Sequence, residues 1–72
     1  MYALVQDEYD VVHDLLTDAL SHRILHLHVR LDSLLLVMQL NGVYRVHNPF
    51  LFRRYLRVEI LMHEFEIITF SH

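Results

Sequence analysis

The spacing of apolar residues changes once along this chain, at Arg23, and that change decides which folds are open to it. Before it, Val11, Val12, Leu15, Leu16, Ala19 and Leu20 recur at helical spacing, while Asp10, His13, Asp14, Thr17, Asp18 and Ser21 fill the opposite face. Apolar residues three and four apart make one stripe on a helix, so an amphipathic helix is expected over 8–21. Its early acids suit the positive end of the helix dipole. After Arg23, Leu25, Leu27, Val29 and Leu31 alternate with His26, His28, Arg30 and Asp32. Period two is the pattern of a half-buried strand. A short strand is also expected at Tyr2–Val5.

The second half has fewer boundary signals, with one glycine and one proline in the whole chain. Leu34 to Leu40 is an apolar run, followed by Asn41-Gly42 and then Val43-Tyr44-Arg45-Val46. Asn-Gly between apolar runs favours a two-residue hairpin turn, because both residues tolerate positive φ. Asn48-Pro49 can cap and open a second helix, and Leu51, Tyr55, Val58, Met62 and Phe65 continue at helical spacing. Residues 55–60 also alternate, however, with Leu56, Val58 and Ile60 opposite Tyr55, Arg57 and Glu59. Residues 65–70 are rich in strand formers. The expected class is therefore α+β in one domain spanning 1–72: an N-terminal amphipathic helix packed on an antiparallel sheet with an Asn-Gly hairpin. The alternative is a β-α-β-β-α-β split arrangement, if 50–63 is helical.

Seventy-two residues bury only a modest core. Cysteine is absent, which excludes disulfides, thiolate metal sites and a cysteine nucleophile. Yet 54% of the residues are hydrophobic and the mean hydropathy is +0.27. That surplus points to a homo-oligomer, because a small sphere cannot hide it alone. The N-terminal acids Asp7, Glu8 and Asp10 are the reverse of a secretory leader. The longest stretch free of charge and histidine, Ser33 to Tyr44, is well short of the ~20 residues that span a bilayer. A cytoplasmic location is expected.

Charge is segregated. Residues 1–22 carry five acids and no arginine, whereas 23–57 carry all six arginines against Asp32 alone, and lysine is absent. Arg53, Arg54 and Arg57 sit beside Phe50, Phe52 and Tyr55, a basic and aromatic mixture that can hold phosphates and stack bases. The net charge of −3 and a pI near 6.1 weigh against nucleic acid, which usually calls for a larger basic excess. Arg53, Arg54, Arg57 and Tyr55 are therefore expected to meet a protein partner.

Seven histidines offer two further readings. If the first helix runs on, Asp14, Asp18, His22 and His26 stand at four-residue steps on one face. If 24–31 is a strand, His26 and His28 share a face instead. Either arrangement makes His22, His26 and His28 candidate ligands for a divalent metal, with no other cofactor expected. Protonating all seven would move the formal charge from −3 to +4, a basis for pH response. No nucleophile elbow surrounds Ser21, Ser33 or Ser71, no glycine-rich phosphate loop occurs, and the pair Asp14 and Asp18 reads as solubilising charge. No catalytic residue is assigned. The expectation is a non-enzymatic, homo-oligomeric protein–protein interaction module, of the kind a virus or phage uses to bind a host protein. The alternatives are a His/Asp metal-binding or pH-responsive protein, and a nucleic-acid binder built on the 53–57 arginines.

Overall fold

The structure is a computed structural model that describes residues 1–5 and 8–72, without the side chains of Tyr2, Leu4 and Val5. Three strands and three helices follow one another as β1 (Tyr2–Val5), α1 (Tyr9–Ser21), β2 (His26–Leu31), α2 (Leu34–Leu40), α3 (Pro49–Met62) and β3 (Ile67–Ser71). The strands lie in the order β1-β2-β3, and both pairings are parallel. Tyr2 stands opposite His28, and His26 opposite Ile67. Parallel neighbours cannot be joined by a tight turn, so α1 carries the chain from β1 to β2, and α2 with α3 carries it from β2 to β3.

The periodicity in the first half of the chain becomes buried surface. Tyr9, Val12, Leu16 and Ala19 of α1 are buried, as are Leu27, Val29 and Leu31 of β2. Val58 from α3 and Phe70 from β3 close the same core. Val11, expected in the apolar stripe, is 44% exposed at its margin. Helices α1 and α3 pack against each other, with the Tyr9 and Tyr55 rings edge-on at 6.2 Å.

Two expectations are corrected here. The sheet is parallel, so neither the antiparallel sheet nor the β-α-β-β-α-β arrangement is the fold. The Asn-Gly hairpin is also absent, because the run 34–40 is helical. Ser33 caps it by accepting the Leu36 N–H at 3.2 Å, and Asn41-Gly42 ends it. Gly42 has φ 77°, its N–H reaches the Gln39 carbonyl at 3.1 Å, and the Val43 N–H reaches the Met38 carbonyl at 2.8 Å. These are the two bonds of a Schellman cap, which needs a left-handed residue just past the helix. Positive φ, the property that suggested a hairpin, serves a helix end instead. The Asn41 amide then donates to the Phe70 carbonyl at 3.2 Å, tying the end of α2 to β3.

Residues 55–60 are helical despite their alternation. Asn48 Oδ1 accepts the Phe50 and Leu51 N–H groups at 2.9 and 3.3 Å, and Pro49 occupies the first turn. With that start fixed, the helical spacing that includes Tyr55 and Val58 faces the core. Among the described residues, no helix is long and apolar enough to cross a membrane.

The first helix ends as α2 does, with a different residue. Arg23 has φ 58°, while the Arg23 and Ile24 N–H groups reach the Leu20 and Ala19 carbonyls at 2.9 and 3.0 Å. A left-handed conformation costs an L-residue about 1–2 kcal/mol, and glycine's flexibility offsets part of any gain from removing it. Arg23→Gly is therefore expected to raise unfolding free energy by ~0.5–1 kcal/mol in urea denaturation. Gly42→Ala should lower it by ~1 kcal/mol. An added Cβ at Gly42 meets nothing within 4 Å, so that loss is conformational rather than steric.

Candidate functional site

Because the strands are parallel, their C-terminal ends lie at one edge of the sheet. Open sheets of parallel strands bind their ligands in the crevice outside that edge. Asp32 directly follows β2, His72 directly follows β3, and Glu8 lies between β1 and α1 as the residue that precedes the helix. Glu8, Asp32 and His72 are exposed. The His72 ring donates from Nε2 to the Asp32 carbonyl at 2.9 Å, and Arg30 Nε donates to the His72 carbonyl at 3.3 Å. Asp32 is held on one side by the buried end of β2 and on the other by the Ser33 cap of α2.

Beside these residues lies a groove of about 340 Å³, bordered by Glu8, Tyr9, Asp10, Ser33, Gln39 and Arg54 among others. Its floor is rigid. The Tyr9 hydroxyl donates to Gln39 Oε1 at 2.5 Å, and both residues are buried. Burial pushes the Tyr9 phenol up to about 12, with the nearby Tyr55 hydroxyl adding to the shift.

The histidines expected to bind metal take local partners instead. Helix α1 stops at Ser21, so His22 caps it, with Nδ1 donating to the Asp18 carbonyl at 2.8 Å. His26 and His28 do share a face of β2, but His26 Nε2 meets Glu66 at 2.8 Å. His28 is held by Thr69 at 2.6 Å and Ser71 at 2.8 Å on the adjacent strand. Among the described residues, no group of three or more histidines and acids is placed to hold a metal ion.

The arginines expected to meet a partner lie together on α3. Arg53, Arg54 and Arg57 are exposed and border a second cleft of about 330 Å³ with Asp10 and Phe50. Arg54 Nε bonds Asp10 Oδ2 at 3.2 Å. Tyr55 turns inward, half-buried between Tyr9 and Phe52, and burial raises its phenol pKa, with the hydrogen bond to Glu59 second.

Glu8 and Asp32 were not singled out from the sequence. A usable signal was present at Asp32-Ser33, where a carboxylate ends an alternating strand and a capping serine opens an apolar run. Reading that run as a strand hid it.

No family model matches the chain, and no curated protein matches it. Solved structures do. The chain is 30% identical to the N-terminal RNase H domain of a Mycobacterium tuberculosis protein, solved as a fusion with maltose-binding protein. That match has a TM-score of 0.86 and covers 89% of this chain and 49% of that one. It is 29% identical to RNase H1 from the halophilic archaeon Halobacterium salinarum, with a TM-score of 0.86 over 90% of this chain and 49% of that one. The chain thus spans about half the length of the structures it matches. These likenesses overturn the expectation of a non-enzymatic interaction module of viral or phage type. The fold matches about half of each of these RNase H structures.

The buried phenol makes one property of the site measurable. A raised folded-state pKa stabilises the fold fully below the unfolded value of 10 and is lost as pH climbs through about 12. Unfolding free energy is therefore expected to fall across that window. Tyr9→Phe should flatten the fall and lower stability at neutral pH by ~1–2 kcal/mol, because the buried Gln39 amide loses its partner. Urea denaturation from pH 7 to 12 checks both.

Proposed function

We propose that this chain forms part of an RNase H-type nuclease domain and that Glu8 and Asp32 are carboxylates of its hydrolytic site. The observation that carries the reading is their position: both follow the C-terminal ends of adjacent parallel strands, beside a groove open to solvent. The likeness to two RNase H structures at about 30% identity supports it.

The reaction is hydrolysis of a phosphodiester in RNA. A water oxygen bonds to phosphorus, the bond from phosphorus to the leaving oxygen breaks, the leaving oxygen takes up a proton from solvent, and the water gives up its own proton. An ionised carboxylate at the strand edge can take that proton. Ser33 and the Tyr9–Gln39 pair keep the surrounding backbone fixed, so the acids are positioned before substrate arrives. Divalent cations on oxygen ligands commonly supply charge stabilisation in phosphoryl chemistry. Glu8 and Asp32 are oxygen donors of that kind, but the described residues form no three-donor group, and no step is assigned to a metal.

The test is cleavage of an end-labelled RNA paired with DNA by the intact protein that carries this chain, in magnesium buffer. Cleavage is expected, with Asp32→Asn and Glu8→Gln each slowing it by on the order of 100-fold while circular dichroism stays unchanged. A folded protein that neither cleaves nor binds the hybrid would sink the reading. So would cleavage that both substitutions leave intact.

A further inference from the structure

One face of α3 is unused by the proposed hydrolytic site. Phe50, Arg53, Arg54 and Arg57 stand at i, i+3, i+4 and i+7 and so form a single stripe along the helix. All four are exposed, Phe50 at 76%. With Asp10 they border the 330 Å³ cleft. Asp10 and Arg54 also border the groove that contains Glu8, so the cleft and the groove meet along the Asp10–Arg54 ion pair. That pair occupies Arg54. Among the described residues, no carboxylate forms an ion pair with Arg53 or Arg57 within 4.0 Å. Two guanidinium groups without an ion-pair partner among the described residues thus follow an uncovered aromatic ring along one helix, in a chain whose net charge is −3.

Resting on the nuclease reading, we propose that this stripe is a binding subsite for the sugar-phosphate backbone of the nucleic-acid duplex cleaved beside it. Arg53 and Arg57 take phosphates, and Phe50 packs on a sugar or base face. Guanidinium groups match phosphate geometry with paired donors. Four helical residues rise about 6 Å, close to two phosphate steps at ~3.4 Å of axis each. Contacts of this kind position a duplex without reading its sequence. The local concentration of arginine answers the objection from net charge: the cleft carries three arginines against Asp10, a local positive excess in a chain of net charge −3.

The experiment is binding of a fluorescein-labelled RNA–DNA hybrid by anisotropy across a salt series, with cleavage of the same hybrid measured in parallel. Arg53→Ala with Arg57→Ala is expected to raise Kd at least tenfold at low salt. The slope of log K against log salt should become shallower by about 2, close to 0.9 per lost phosphate contact. Arg53→Lys with Arg57→Lys should keep most of the slope. Arg23→Gln, an equal loss of charge per residue at the far end of α1, should shift Kd little. An Ala pair with wild-type slope, or one no worse than Arg23→Gln, overturns the subsite; if the wild type still cleaves, the nuclease reading survives it. A wild type that neither binds nor cleaves overturns both. Polyglutamate competing as well as the hybrid would assign the stripe to an acidic protein and overturn the proposal.

Discussion

Everything in this fold is arranged around the middle strand. Leu27, Val29 and Leu31 of β2 are buried almost completely, and both edges of the strand are hydrogen-bonded to parallel neighbours. A strand in that position cannot shift by one residue without sending His26, His28 and Arg30 into the core. The register of β1 and β3 follows from it, and so does the placement of Asp32 immediately past its last buried leucine. Asp32 is thus located by hydrophobic packing that ends one residue short of it.

Local physics was legible in the sequence, and non-local physics was not. The α1 stripe, the β2 alternation and the Asn48-Pro49 start of α3 can be read because each is settled by neighbours within a turn or two. The direction of strand pairing cannot, since it depends on partners dozens of residues away. Asn41-Gly42 shows how a correct local reading misleads. Positive φ at Gly42 is real, but a hairpin and a Schellman cap both use it, and only the structure of 34–40 decides between them. An antiparallel reading then scattered Glu8 and Asp32, whereas parallel pairing brings the strand ends that precede them to one side. The arginines near 53–57 were visible as a group, but their alignment with Phe50 on one face depends on 50–57 being helical.

Of the histidines, conspicuous by their count, His22, His26 and His28 each have a local partner among the described residues. His22 finishes a helix, His26 faces Glu66, and His28 bridges to two hydroxyls on the next strand. Each is adequately explained by the group beside it. The arginines divide similarly. Arg23 closes α1 in a conformation that favours glycine, Arg30 reaches the chain beyond β3, and Arg54 meets Asp10. Among the described residues, Arg53 and Arg57 are the cations on the α3 stripe without a carboxylate in ion-pair range.

Parallel pairing also governs how the chain can find this fold. The closest-spaced partners across β1 and β2 are 26 residues apart, as Tyr2 and His28 are, and those across β2 and β3 are 41 apart, as His26 and Ile67 are. No pair of strands can zip from a turn, so each must close a large loop before any ladder bond forms, and the entropy of that closure is lost first. Helices α1 and α3 shorten those loops by folding locally ahead of the sheet. The unit β1-α1-β2 has the shorter loop to close and is the natural nucleus, with β3 joining a strand already in place. By loop length alone, closing β2 onto β1 costs less entropy than closing β3 onto β2.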